Sequence, residues 1–149
     1  MNKFILVAFV FTFFSCTTNP SVHYDKAKEA KDKKEYENAI YEYWNHINKR
    51  LAIKNRPDWE NPYIYLLDIG DIYVEQGDIA NATKYYEMAE EKGVKQGFVN
   101  DRYRFIASWY EEKGELDKAI EQLKKYQDRD PELFNLMLDR IAKDIVKLN

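Results

Sequence analysis

The chain has 149 residues, of which 23 are Lys or Arg and 26 are Asp or Glu, so its formal net charge is −3. This length suits one domain with a hydrophobic core. The mixed charges offer no basic face for phosphates, and nucleic acid is therefore not expected as a partner. Gly and Pro are few and charged residues make up 33% of the chain, which is typical of a helix-rich protein.

The N-terminal segment differs in character from the rest of the chain. Lys3 precedes an apolar run from Phe4 to Phe14, and the small residue Ser15 follows it. This run is shorter than the ~20 residues that a membrane-spanning helix needs, and no later stretch is apolar enough to span. We therefore predict a cleaved signal peptide at residues 1–15 rather than a transmembrane anchor.

The only cysteine, Cys16, directly follows the apolar run. A lone thiol cannot form a disulfide within its own chain. The stretch Phe13–Cys16 resembles a bacterial lipobox, although Phe13 and Phe14 stand where a Leu and a small residue are usual. The resemblance implies that Cys16 is lipidated, that residues 16–21 form a tether, and that the protein is anchored in the bacterial cell envelope, at the periplasmic face or the outer membrane. The alternative is an ordinary secretory signal with an incidental cysteine.

Two later segments carry similar residue types at the same spacing. The first contains Leu66, Ile69, Gly70, Tyr73, Gly77, Asp78, Ala82, Tyr86 and Ala89, and the second contains Tyr103, Ile106, Ala107, Tyr110, Gly114, Glu115, Ala119, Leu123 and Tyr126. A weaker upstream copy has Ala27, Ala30, Lys34, Ala39, Tyr43 and His46 at matching positions. The pattern resembles the tetratricopeptide repeat (TPR), a helical hairpin of about 34 residues.

The resemblance implies an all-α fold, a short α-solenoid of about three TPR helix-turn-helix hairpins followed by a C-terminal capping helix. The repeats would occupy residues 22–133, at about 20–53, 63–96 and 100–133, with residues 54–62 as an insertion. The capping helix would begin near residue 131 and continue through residues 134–149. Its apolar residues recur at helical spacing and are Phe134, Met137, Ile141, Ile145 and Leu148.

Elementary packing and capping rules favour the same fold. Small residues such as Gly70 and Ala107 let two helices approach closely, and Gly77 and Gly114 are placed to end a helix in the left-handed conformation. Asn61 and Asp130 each precede a Pro, a pair that marks a helix start. Three tyrosines at helical spacing are expected to fill the space between the helices, namely Tyr73, Tyr86 and Tyr110.

The sequence contains no constellation of residues that predicts catalysis. The glycines are dispersed, whereas a phosphate-binding loop needs them clustered, and neither Ser21 nor Ser108 is flanked by glycines as in a nucleophile elbow. His23 and His46 are too far apart in sequence to indicate a metal site, and His46 is expected to pack in the core. We expect no enzyme activity, no cofactor, no metal and no small-molecule substrate.

In TPR-like stacks the first helix of each hairpin lines a concave groove in which peptides or partner helices lie. By matching positions, the resemblance places eleven residues in this groove: Tyr24, Lys28, Lys31, Ile64, Leu67, Asp71, Val74, Asp101, Arg104, Ser108 and Glu111. The groove would run from a basic first hairpin through an apolar centre to an acidic end. Trp59 would add a contact at the rim, or Trp59 and Leu67 would instead seal the interface with the first hairpin.

These features predict a non-catalytic adaptor or scaffold in the cell envelope that binds a peptide or a partner helix in the groove. The alternative is a structural accessory subunit of an envelope complex, such as outer-membrane assembly, pilus or transport machinery, that binds through its flanks. The clamp for carboxylate tails known in some TPR proteins needs Lys, Arg and Asn at fixed places. This chain has other residues there, Tyr24, Lys28, Asp68, Asp101 and Phe105, so that binding mode is not predicted.

Overall fold

The computed structural model describes residues 21–148, which form seven α-helices and no strand. In chain order the helices are α1 (Ser21–Asp32), α2 (Tyr36–Leu51), α3 (Tyr65–Gln76), α4 (Ile79–Glu91), α5 (Gln96–Glu112), α6 (Leu116–Tyr126) and α7 (Pro131–Leu148). Short 3-10 turns at Pro62–Ile64 and Gln127–Arg129 precede α3 and α7. The predicted signal peptide at residues 1–15, Cys16, most of the predicted tether and the last residue of the chain lie outside the described residues.

The helices pack as three consecutive hairpins, α1 with α2, α3 with α4, and α5 with α6. Neighbouring hairpins join through the contacts of α2 with α3 and of α4 with α5, and α7 packs on α6 at the end of the stack. The predicted all-α solenoid with a C-terminal capping helix is therefore confirmed. α5 begins at Gln96, ahead of residue 100, where the third repeat was expected to start.

Four connections share one hydrogen-bonded motif, in which a residue with positive φ ends a helix. These residues are Lys34 (φ 60°), Gly77 (φ 81°), Gly93 (φ 82°) and Gly114 (φ 74°). In each case the following amide donates to the carbonyl five residues earlier, as from Asp78 to Tyr73 (2.8 Å) and from Glu35 to Ala30 (2.8 Å). The predicted roles of Gly77 and Gly114 are confirmed. Lys34 adopts the same backbone without being a glycine.

Close helix approach is clearest where Gly70 of α3 meets Tyr86 of α4. A Cβ at position 70 would lie 2.3 Å from the Cε1 atom of Tyr86, so only glycine fits against this ring. Tyr86 is completely buried, and its ring meets Tyr103 of α5 edge to face at 6.0 Å. Tyr73 and Tyr110 are only half-buried, so the prediction that they fill the core holds in part.

The two predicted Asx-Pro helix starts have the expected capping contacts. The Asn61 side chain accepts a hydrogen bond from the Tyr63 amide (3.0 Å), and the Asp130 side chain accepts one from the Leu133 amide (3.3 Å). Phe134 and Ile141 of α7 are buried against the stack, as the capping-helix prediction requires. His46 is also buried, with its ring 4.4 Å from that of Tyr65, which agrees with its predicted packing role.

Candidate protein-binding surface

The first helices of the three hairpins lie side by side and form a surface that we call the first-helix face (α1, α3 and α5). Lys31 of α1 forms an ion pair with Glu75 of α3 (3.0 Å). Arg102 of α5 pairs with Asp71 of α3, with 2.9 Å between Nε and Oδ1. α3 therefore lies at the centre of this face and is linked to both of its neighbours by charged contacts.

Leu67 and Val74 of α3 were expected to give this face an apolar centre, and the structure corrects that expectation. Their side chains are 2% and 0% exposed and belong to the hydrophobic core. The reason is that α3 is packed between α2 on one side and α5 on the other. Neither side chain presents a surface to a partner.

Acidic residues occupy the centre of the face instead. Asp71, a predicted groove residue, accepts a hydrogen bond from the Tyr86 hydroxyl (2.7 Å) in addition to its contact with Arg102. Burial raises the pKa of Asp71, while Arg102 and the Tyr86 hydroxyl act in the opposite direction. Asp71 therefore holds α3, α4 and α5 together, and its oxygen is already occupied.

Asp68 lies on the same helix, one turn before Asp71. Burial, together with the charge of Asp71, raises the pKa of Asp68 to about 6. Among residues 21–148, no hydrogen bond or ion pair is formed by its carboxylate. A half-buried carboxylate without a direct partner is the group on this face that is best placed to accept a cation from another molecule.

The predicted groove residues of α5 are tied to α7 and to the segment before it. Arg104 contacts Asp101 and lies 3.2 Å from the Asp130 carboxylate. Glu111 pairs with Arg140 of α7 (2.7 Å). Ser108, between them, is half-buried. The expected acidic end of the groove is thus largely neutralised by contacts within the chain.

The predicted groove residues of α1 differ in how accessible they are. Tyr24 is half-buried in an aromatic cluster, 5.5 Å from the His46 ring and 5.4 Å from the Tyr65 ring. Lys28 is exposed and its Nζ lies 5.6 Å from the centre of the Tyr24 ring. With Lys31 engaged by Glu75, Lys28 is the accessible cation at this end of the face.

Three residues of the face were not among the predicted groove residues: Asp68, Arg102 and Phe105. Phe105 is 39% exposed on α5. Asp68 and Phe105 occupy the same repeat position, each two residues before the small residue Gly70 or Ala107. A comparison of the two repeats at that position could have added both residues to the predicted groove. Arg102 gives no such signal, because its importance depends on its contact with another helix.

Ile64 and Trp59 contribute to a second concave surface of the molecule. Both line a groove of about 760 Å³ between residues 52–61 and the connection from α4 to α5, which we call the edge groove. Trp59 is 84% exposed and so does not seal an interface within the chain. Ile64, predicted as a residue of the central groove, is half-buried against the core and contributes to the lining of the edge groove.

Within residues 21–148, no helix is long and apolar enough to cross a membrane. The same residues contain no group of His, Cys, Asp and Glu side chains arranged to hold a metal ion.

Comparison with known proteins identifies the repeats independently. The tetratricopeptide repeat family model matches residues 64–91 and again residues 103–133. The first match covers the second hairpin, and the second match begins within α5, covers the rest of the third hairpin and ends in the first turn of α7. Among curated proteins, none is similar enough in sequence to this chain to count as a match.

Proposed function

The chain belongs to the tetratricopeptide repeat family, and we propose that it is a non-catalytic adaptor. In this proposal it is anchored in the bacterial cell envelope through a lipidated Cys16 and holds a partner protein on its first-helix face. The repeats themselves are a protein-interaction fold, and the family generally has no catalytic activity. The anchoring, the choice of face and the nature of the partner are the parts that this proposal adds.

The observation that carries the choice of face is the unpaired Asp68 carboxylate beside two other accessible groups. Phe105 of the neighbouring helix α5 offers an exposed aromatic side chain, and Lys28 of α1 offers a cation. Most other charged groups of this face are engaged with each other. A partner segment that presents a Lys or Arg to Asp68, a carboxylate to Lys28 and an apolar side chain to Phe105 would complement the face.

Anchoring through Cys16 is supported by the sequence that precedes it, an apolar run ending in a small residue. Acyl chains on this cysteine would each contribute ~0.8 kcal/mol per buried methylene group, enough to hold a small domain at a membrane. Metabolic labelling with a fatty acid tests this part. Label is expected on the wild-type chain and absent from Cys16→Ala, and label that persists in this variant would refute it.

The binding surface is tested by affinity capture from detergent-solubilised envelopes of the producing bacterium. The double variant Lys28→Glu/Phe105→Ala is expected to lose the proteins that the wild-type chain captures, because it changes exposed groups on the first-helix face. Tyr41→Ala removes an aromatic side chain that is 62% exposed on α2 and serves as the control. Leu67 is unsuitable for this test, since its substitution would disturb the core.

The accessory-subunit alternative is favoured by a different observation on α7. Leu133 and Leu136 are 42% and 65% exposed at the end of the stack, where a further protein could pack. Capture that is lost in Leu133→Ser/Leu136→Ser, and unchanged in Lys28→Glu/Phe105→Ala, would support binding through the flank. The opposite pattern would support the first-helix face.

A further inference from the structure

The edge groove is a preformed cleft that the repeat pattern does not explain. Arg50, in the last turn of α2, holds Glu60 through two contacts, one of them 2.6 Å from Nε to Oε1. The Asn61 side chain accepts from the Tyr63 amide and donates to the Lys92 carbonyl (2.9 Å). The C-terminal end of residues 52–61 is therefore tied to α2 through Glu60 and to the α4–α5 connection through Asn61.

The apolar lining of the groove is unusually accessible to solvent. Trp59 is 84% exposed and Phe98 is 46% exposed, and the half-buried ring of Tyr63 also belongs to the lining. Aromatic side chains of this size are generally buried, and exposed ones within a cleft of this volume are typical of binding sites. The groove thus offers anchoring positions for apolar side chains of another molecule.

The charges around the groove are predominantly positive. Glu60 is neutralised by Arg50, which leaves three cations, Arg56, Lys92 and Lys95, against the single carboxylate of Asp58 in the lining. None of these three cations forms an ion pair within the described part of the chain. Lys92 instead lies 5.6 Å from the centre of the Tyr63 ring, a cation–π contact that places positive charge beside the aromatic surface.

We propose that the edge groove is a second protein-binding site, which takes a peptide segment with an aromatic or aliphatic anchor flanked by acidic residues. The anchor packs against Trp59 and Phe98, and the acidic residues meet Arg56, Lys92 and Lys95. The first-helix face differs, because its accessible groups include the free carboxylate of Asp68. The inference is thus independent of the proposed function, and the two sites accept different segments.

The test begins with random peptides displayed on phage and selected on the purified full chain. Enriched peptides are expected to combine an apolar residue with neighbouring Asp or Glu. A fluorescein-labelled copy of an enriched peptide is then titrated by fluorescence anisotropy. Trp59→Ala is expected to weaken its binding about thirtyfold, as for a hot-spot residue. Lys92→Glu/Lys95→Glu is expected to weaken it about tenfold, with affinity that falls as salt rises.

Matched controls keep the test specific to this groove. Tyr41→Ala removes an exposed aromatic side chain elsewhere, and Lys26→Glu/Lys84→Glu reverses two exposed cations outside the groove. Both are expected to bind the peptide as the wild-type chain does. Circular dichroism of each variant checks the fold, and the charge-reversal pair gives a second result if Trp59→Ala fails to fold.

Several outcomes would overturn the inference. Enriched peptides without acidic residues, no enrichment at all, or equal binding by Trp59→Ala would each do so. Binding that survives Trp59→Ala and is lost in Lys28→Glu/Phe105→Ala would place the peptide on the first-helix face. Dimerisation that depends on Trp59 would show that the groove is occupied by a second copy of the chain.

Discussion

Asp71 of α3 and Arg102 of α5 form an ion pair, with 2.9 Å between Oδ1 and Nε, and so connect the second and third hairpins across the first-helix face. The same carboxylate accepts the Tyr86 hydroxyl from α4. One side chain therefore joins the two helices of its own hairpin and the first helix of the next.

Replacement of Arg102 by Leu is expected to lower the free energy of unfolding by about 1 to 2 kcal/mol, because Asp71 is then left half-buried without its cation. The double variant Asp71→Asn/Arg102→Leu has no unpaired charge at this position. Its loss of unfolding free energy should therefore be smaller than the sum of the losses in the two single variants. Urea denaturation of the four proteins measures this coupling. Additive losses would show that the contact contributes nothing.

Asp68 should make stability depend on pH. Its pKa of about 6 in the folded chain lies above the ordinary value of 3.8, so the folded state binds the proton more tightly than the unfolded state does. Its favourable contribution is complete below pH 3.8 and is lost as the pH rises through about 6. Above that pH, Asp68→Asn should be more stable than the wild-type chain by roughly 2 kcal/mol.

The measurement for Asp68 is the thermal midpoint of both proteins across the acidic and neutral range. The midpoints should coincide at the acid end and separate as the pH rises towards neutrality. Asp25→Asn, at an exposed position of α1, is the matched control for the loss of one carboxylate. A constant difference between Asp68→Asn and the wild-type chain at every pH would contradict the assignment.

The turn at Lys34 should be improved by glycine. Lys34 has φ 60°, in the left-handed region that costs a residue with a Cβ about 1 kcal/mol. Lys34→Gly is therefore expected to raise the free energy of unfolding by about 0.5 to 1 kcal/mol. The reciprocal change is Gly114→Ala, because a Cβ at position 114 would meet no atom within 4 Å and only the backbone strain remains. Gly114→Ala should lower the free energy of unfolding by about 1 kcal/mol. If Lys34→Gly and Gly114→Ala change the free energy of unfolding in the same direction, the role assigned to positive φ is contradicted.

Gly70→Ala should be more damaging than Gly114→Ala. The added methyl group would lie 2.3 Å from a buried ring that Asp71 holds by its hydroxyl, and overpacking of this kind costs roughly 1 to 3 kcal/mol. The third hairpin has Ala107 and Leu123 at the corresponding positions. The double variant Gly70→Ala/Tyr86→Leu reproduces that pair. Its loss of unfolding free energy should be smaller than the sum of the losses in the two single variants. Denaturation curves that give simple additivity would argue against the predicted clash.

The repeat spacing predicted the contacts that depend on residue size and on local backbone. The meeting of Gly70 with Tyr86 and the helix ends at Gly77 and Gly114 follow from those properties alone. Fold and turns were therefore accessible from the sequence. The turn at Gly93 was not predicted, because it falls where the repeats are joined with unequal spacing.

The binding surface was harder to predict, because exposure depends on neighbouring helices. Leu67 and Val74 occupy positions that face the groove in the repeat pattern, yet α2 and α5 cover them. Trp59 lies in an insertion that matches no repeat, so the position of its ring could not be predicted from the repeat pattern. Only the packing of residues 52–61 against the α4–α5 connection makes it part of a groove.

Nearest-neighbour packing of the hairpins determines the order in which the structure opens. Within residues 21–148 the first hairpin packs mainly against the second, so opening the first hairpin breaks one main boundary between hairpins. α1 and α2 also have the strained turn at Lys34, whereas the central hairpin is held on both sides. Amide hydrogens should therefore exchange faster in α1 and α2 than in α3 and α4. The part of the chain nearest to Cys16 is then the first to loosen, while the centre of the stack keeps its shape.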